Sequence, residues 1–318
     1  MKIMTMLLIM EAIDSGQINL EDQVPVSEHA RSMGGSQIWL EEAETLSVHE
    51  MLKAITVVSA NDASVAMAEL ISGSEQAFVE KMNARAKELG MNDTTFKNCH
   101  GIDEDGHVTS AHDIAIMSRE LMNNHPTITD YTLIWMDSLR DGQSQLVNTN
   151  KMIRTYNGTT GLKTGSTSIA LFNLSATATR GDLSLVAVVM KSETSAIRFA
   201  EASKLLDYGF ANFEYAVLSV KDEEVKSIEV EKGVANTVTV VFETDTGTLV
   251  PKGTSGNITS SMDLKEIVSA PVTKGQVLGE IIYSIDGEIV GSTNLVAGSD
   301  IMRINFSKYA FSRIRRLV

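Results

Sequence analysis

A chain of 318 residues, 43% of them apolar, is long enough to bury a full core and accommodates two domains more readily than one. A formal net charge of -14 excludes a general nucleic-acid binder, because neutralising phosphates takes clustered Lys and Arg that residues 1–300 do not supply. The single cysteine, Cys99, excludes an intramolecular disulfide and a cysteine-based metal site, and it leaves the compartment open.

The N-terminal run Met1-Lys2-Ile3-Met4-Thr5-Met6-Leu7-Leu8-Ile9-Met10 has the charged start and apolar stretch of a secretion signal. Glu11 and Asp14 interrupt it, no small-residue cleavage site follows, and it is too short to span a membrane. It reads as a core helix ending near Ser15-Gly16, where glycine suits a left-handed cap. Ser47-Val48-His49-Glu50 is a capping-box pattern and predicts a helix through Met51 and Ile55. Apolar spacing predicts further helices over 62–71, stopped by Gly73, and over 78–89, stopped by Gly90; Ser110 and Asp113 open another through Met122.

From Thr160 the pattern shifts to short strand-like runs over 162–164, 171–179 and 183–190, the last two joined by a tight Arg180-Gly181-Asp182 connection. Helix returns over 195–206 and ends at Tyr208-Gly209. Helices before and after consecutive antiparallel strands imply a mixed α/β fold, an antiparallel sheet flanked by helices, with a first domain over 1–213. Alternation such as Thr237-Val238-Thr239-Val240-Val241-Phe242, with turns at Asp245-Thr246-Gly247 and Asp286-Gly287, predicts a small β-rich domain over 214–300. The segment 301–318 has no acidic residue and interleaves Arg303, Lys308, Arg313, Arg315 and Arg316 with apolar side chains. It suits either an anionic membrane surface or a terminal helix docked on its own protein.

Acyl transfer through a serine ester needs a nucleophile, a base, a proton shuttle and an anion-binding arrangement. One known solution distributes these over Ser-x-x-Lys, Ser-x-Asn and Lys-Thr-Gly motifs on separate elements. Ser59-Ala60-Asn61 falls between two predicted helices and Lys163-Thr164-Gly165 on the strand opening the meander, which is the context each motif requires. His107 and His112 with Asp113 have a spacing that does not put both imidazoles on one helix face, and Asp113 already suits a cap. Cys99-His100 are neighbours in sequence, which is not the spatial pairing of a thiolate nucleophile with its base. Both sets read as structural.

These motifs, together with His29-Ala30-Arg31-Ser32-Met33-Gly34-Gly35-Ser36 and Asn148-Thr149-Asn150, give a chain that resembles the penicillin-binding proteins of the D-alanyl-D-alanine carboxypeptidase type over nearly its whole length. The resemblance implies a β-lactamase/transpeptidase-like fold, removal of the terminal D-alanine from peptidoglycan stem peptides, acylation by β-lactams and no cofactor or metal. It implies action outside the cytoplasm, with the basic tail on the outer face of the cytoplasmic membrane. Lys2 falls on the lysine of Ser-x-x-Lys, so the serine's place precedes Met1. The 318 residues as they stand are therefore expected to be inactive, with an incomplete sheet edge, and a catalytically dead peptide-binding protein on the same scaffold is the alternative. A class A β-lactamase fits less well, because such enzymes lack the second domain and the tail.

By the same resemblance Ser59 relays a proton to the departing D-alanine, Asn61 holds the substrate peptide, and Lys163 keeps the site electropositive. Backbone groups of Gly165, Ser166 and Thr167 align the substrate as an added strand, while Thr164 and Arg198 receive its terminal carboxylate. For Arg198, an exposed position on the helix 195–206 is the competing reading.

Overall fold

The first helix, α1 (Lys2–Asp14), is apolar on every side, and ten of its 13 residues are buried. It ends where expected: Ser15 is the last right-handed residue, Gly16 turns left-handed (φ 73°), and the Gln17 N–H returns to the Ala12 carbonyl at 2.9 Å. The structure is a computed structural model and describes residues 1–304. The basic tail expected over 301–318 therefore lies, from 305 onward, outside the described residues. The chain forms two compact units, Met1–Gly209 and Phe210–Val318.

In the first unit α1 is followed by β1 (Gln23–Pro25), α2 (Glu28–Arg31), β2 (Thr45–Ser47), α3 (Val48–Val57), α4 (Asn61–Ser72), α5 (Glu75–Glu88), α6 (Ala111–Asn124) and α7 (Thr129–Thr132). The hairpin β3 (Met136–Leu139) and β4 (Ser144–Val147) and the short α8 (Met152–Thr155) lead into β5 (Thr159–Thr167), β6 (Leu171–Arg180) and β7 (Leu183–Ser192), and α9 (Ser195–Asn212) follows. Strands β5, β6 and β7 form an antiparallel sheet in chain order, and α6 packs on β6 and β7. Helix α1 touches α3, α4, α5 and α6, so it is the axle of one continuous core.

Ser47 opens α3 with a full capping box, its hydroxyl receiving the Glu50 N–H and the Glu50 carboxylate receiving the Ser47 N–H. Several boundaries differ from expectation, among them the end of α9, which runs on to Asn212 rather than stopping at Tyr208-Gly209. Helix α5 begins at Glu75, capped by Ser74, rather than at 78, because its first turn is polar and apolar periodicity starts only at Phe78. Strand β5 spans nine residues rather than 162–164, since its ladder with β6 continues on both sides of Lys163.

The second unit contains β8 (Phe213–Ser219), β9 (Glu224–Glu231), β10 (Thr237–Phe242), β11 (Thr246–Pro251), β12 (Thr259–Leu264), β13 (Ile267–Ser269), β14 (Val277–Ile285) and β15 (Glu288–Ala297). Six of them form one sheet in the order β12-β14-β15-β10-β9-β13, and β8 pairs with β11. Val238, Val240, Ile281, Leu295 and Ala297 point into its core, as alternation requires. Asp286 (φ 50°) and Gly287 (φ 85°) make the two-residue turn from β14 to β15, both left-handed as a primed hairpin turn demands. The turn expected at Asp245-Thr246-Gly247 is displaced. Thr246 and Gly247 belong to β11, where the Tyr215 ring occupies the space a Cβ on Gly247 would need.

Candidate active site

The connection from α3 to α4 passes through Ser59 at φ 64°, a left-handed backbone for a residue with a Cβ, which costs about 1–3 kcal/mol and concentrates at functional positions. Asn61 then opens α4. Its N–H donates to the Ser36 carbonyl at 2.7 Å, and its Nδ2 donates to the Gly34 carbonyl at 2.7 Å. Gly35 makes this approach possible, since a Cβ there would stand 2.8 Å from Asn61 Nδ2. With one Nδ2 N–H on the Gly34 carbonyl, Asn61 receives the Lys2 amine on its Oδ1 at 2.5 Å.

Lys2 lies on the first turn of α1, buried, and its Nζ also donates to the His100 carbonyl at 2.6 Å. Both acceptors are neutral. Burial therefore pushes the Lys2 amine down to about 8, with Cys99 and Asp62 opposing the shift. Lys163 is buried on β5, where its Nζ donates to the Thr164 carbonyl at 2.9 Å. Burial, then the positive charges of Lys2 and Arg198, hold Lys163 well below the ordinary lysine range.

The segment 148–150 joins these two halves. Thr149 donates its N–H to the Val57 carbonyl at 3.2 Å, two residues before Ser59, and its Oγ1 lies 2.6 Å from Thr164 Oγ1 on β5. Buried Asn148 braces the segment, donating to the Ile134 carbonyl at 2.8 Å and receiving the Asn150 N–H at 2.8 Å. Gly165 and Ser166 are exposed on β5, which stands at the edge of its three-stranded sheet. Thr167 turns aside, its Oγ1 receiving the Ala170 N–H at 2.8 Å and closing the turn to β6.

Arg198 is buried on α9, which corrects the reading of an exposed helical residue. Its Nη1 donates to the carbonyls of Gly165 and Asn173 at 3.1 Å each, and its Nη2 to Ser195 Oγ at 3.2 Å. The guanidinium packs against the rings of Phe172 and Phe199, 5.4 and 4.9 Å away. It thus fastens two facing residues of β5 and β6, and burial lowers its basicity.

Two parts of this arrangement escape motif reading. Asp62 is wholly buried, and its carboxylate receives the N–H groups of Ile38 and Leu40 at 3.0 and 3.2 Å, fixing the loop that faces Asn61. Its position directly after the Ser-x-Asn motif was the available signal. The His100 carbonyl that receives Lys2 is a backbone atom, and no side-chain pattern announces it. Asp113 receives the Asp93 N–H and the Thr94 hydroxyl, with exposed His112 standing 3.5 Å from it, while His107 receives the Lys97 N–H, so the three do not converge on one point.

Residues 1–194 match the family model described as D-alanyl-D-alanine carboxypeptidase. The chain belongs to that family. Residues 213–303 match a second model, the C-terminal domain of penicillin-binding protein 5. The chain is 44% identical over 309 residues to the D-alanyl-D-alanine carboxypeptidase DacF of Bacillus subtilis, covering 96% of this chain and 79% of that one. Its fold is similar to penicillin-binding protein 5 from Haemophilus influenzae, with TM-score 0.76 and 32% identity over 95% of this chain and 89% of that one. It is also similar to penicillin-binding protein D2 from Listeria monocytogenes in a cefotaxime-bound form, with TM-score 0.60 and 30% identity over 66% and 85% of the two chains. As a D-alanyl-D-alanine carboxypeptidase the protein is a serine-type peptidase with a helix-flanked antiparallel sheet and a β-rich C-terminal domain.

Proposed function

We propose that this carboxypeptidase removes the terminal D-alanine from peptidoglycan stem peptides through a serine ester, and that β-lactams acylate it by the same route. The observation that carries the reading is the buried Lys2 amine, held by Asn61 Oδ1 and the His100 carbonyl and brought down to about 8 by burial. Near neutral pH a fraction of such amines is neutral and able to accept a proton.

The nucleophile's place is three residues before Lys2, one turn ahead on the same face of α1 and outside the 318 residues. A serine there loses its hydroxyl proton to Lys2 as its oxygen attacks the penultimate D-alanine carbonyl. The tetrahedral oxyanion collapses to the ester as the C–N bond breaks, and Ser59 relays the proton to the departing amine. Water then hydrolyses the ester and returns the serine. Asn61 holds the substrate amide, Lys163 keeps the site electropositive, and Thr164 receives the terminal carboxylate. The free edge of β5 at Gly165, Ser166 and Thr167 takes the peptide as an added strand. Arg198, whose Nη1 and Nη2 donate to Gly165, Asn173 and Ser195, holds that edge in place and adds positive charge.

The cefotaxime-bound Listeria relative supports the β-lactam half of the reading. The basic residues of 301–318 suit an anionic membrane surface on the outer face, and no described helix is long and apolar enough to cross a membrane. The test compares the 318-residue chain with one extended to carry serine three residues before Lys2, using a fluorescent penicillin and a D-Ala-D-Ala peptide. The extended chain is expected to form a stoichiometric adduct and release D-alanine; the 318-residue chain is expected to do neither. An adduct on the 318-residue chain would show that another serine is the nucleophile and that the assignment of Lys2 is wrong.

A further inference from the structure

The first turn of α1 has no side-chain cap, and its polar groups are held by a strap of chain over 98–102. Lys2 Nζ donates to the His100 carbonyl and Thr5 Oγ1 to the Cys99 carbonyl, each at 2.6 Å. Lys2 and Thr5 are three residues apart on one helix face, so two successive carbonyls of the strap grip that face. Gly101, at φ 83°, lets the strap lie close, since a Cβ there would stand 3.1 Å from the Met1 Cβ.

Behind the strap stands Glu75, the first residue of α5. Its Oε1 receives the Cys99 N–H at 3.0 Å and lies 3.4 Å from His100 Nε2, while its Oε2 lies 2.8 Å from His29 Nε2. The Ile102 N–H donates to His100 Nδ1 at 3.2 Å, which leaves Nε2 as the protonated nitrogen facing Glu75. Burial pushes the Glu75 carboxyl up, but the Cys99 N–H and His29 outweigh it and hold the group below the usual glutamate range. An ionised carboxylate thus grips both the peptide and the ring of the strap, from the side opposite the base.

We propose that Glu75 is a positioning residue for the reaction: it fixes the Cys99-His100 strap and, through the His100 carbonyl, sets the place of the Lys2 amine relative to the attacking serine. The inference rests on the reading of Lys2 as the base. Glu75 donates nothing to the substrate, so its effect falls on the rate of acylation and leaves noncovalent binding alone.

Two substitutions separate geometry from mere presence. Glu75→Gln keeps an oxygen for the Cys99 N–H, whereas Glu75→Ala removes it. In the serine-bearing chain, Glu75→Ala is expected to slow acylation by a fluorescent penicillin on the order of a hundredfold, the scale of a misplaced catalytic group. Glu75→Gln is expected to retain the rate within about tenfold, and the noncovalent dissociation constant stays unchanged in both. An unchanged rate in Glu75→Ala, equal losses in the two variants, or a loss confined to the dissociation constant would overturn the proposal.

A second measurement, on the 318-residue chain, needs no acylation. With carbon-13 at lysine Cε, the Lys2 midpoint is expected to fall in Glu75→Ala and to return toward the parent value in Glu75→Gln. The amine is also faced by Asp62 from α4, Cys99 and His100 from the strap, Lys163 from β5 and the Met1 α-amino group, and His29 and Glu104 stand around His100. All of these are common to parent and variants. A midpoint that stays in place in folded Glu75→Ala would overturn the proposal. If the serine-bearing parent fails to acylate, the proposed function falls, and the Lys2 titration still decides the role of Glu75.

Discussion

The two units of this chain treat polar groups in opposite ways. The first buries Lys2, Asn61, Asp62, Lys163 and Arg198 and holds Ser59 in a left-handed backbone. The second, among its described residues, buries no charged side chain and only the hydroxyl groups of Ser219, Tyr283 and Thr293 among its polar ones, and most of its strands follow local alternation. Burying an amine without a carboxylate beside it opposes folding, and so does a left-handed serine. Such departures persist where the surrounding structure over-determines them, and here they gather around one site.

The sharpest way to break this contrast is to remove its central group. In the serine-bearing chain, Lys2→Met is expected to lower acylation by three or more orders of magnitude, as loss of a base acting directly on the nucleophile does. Rapid-mixing kinetics with a fluorescent penicillin measure it. A loss below tenfold would mean that Lys2 does not take the proton. Next in size is Asp62→Asn, whose amide NH2 faces N–H groups whichever way it turns, those of Ile38 and Leu40 on one side or of Ile38 and Ala63 on the other. It is expected to destabilise the first unit by about 2 kcal/mol, the scale of a buried polar group left unpaired. Trp39 and Trp135 are the only tryptophans and both belong to that unit, so fluorescence-detected denaturation reports on it selectively.

What could be read in the sequence divides along the same line. The capping box at Ser47 and Glu50, the left-handed stop at Gly16 and the Asp286-Gly287 hairpin were legible because each is a local rule carried by a few neighbouring residues. Ser59, Asn61 and Lys163 were legible as motifs. Their mutual placement was not, since it depends on Thr149 bridging Val57 and Thr164, a contact with no sequence signature of its own. Arg198 was named in the sequence beside a competing reading as an exposed helical residue, and the strand carbonyls that hold it buried were not legible; Glu75 fell outside the expected α5 because its turn is polar. Backbone acceptors and long-range tertiary contacts are the common reason for each omission.

A smaller effect sharpens the account of Lys2. With its amine brought to about 8, the neutral base grows from roughly a tenth of the population at pH 7 to most of it at pH 9, so acylation is expected to rise about tenfold over that interval. The direction follows from the role, since a base works in its deprotonated form and burial has moved that form down toward neutrality. A rate that falls with rising pH over the same interval would make Lys2 an acid in the limiting step.

The smallest effect tests the other side of the contrast. Gly287 stands at φ 85° with open space where a Cβ would go, so Gly287→Ala adds no clash and isolates the backbone cost of a left-handed alanine, about 1 kcal/mol. Amide exchange in β14 and β15 is expected to quicken about fivefold, the equivalent of that cost. The acylation rate and the tryptophan-detected transition are expected to stay in place, because the second unit's local rules concern its own sheet. If Gly287→Ala instead slowed acylation, the division between a unit that breaks local rules for chemistry and one that keeps them for stability would fail, and the β-rich unit would have to be counted among the determinants of the site.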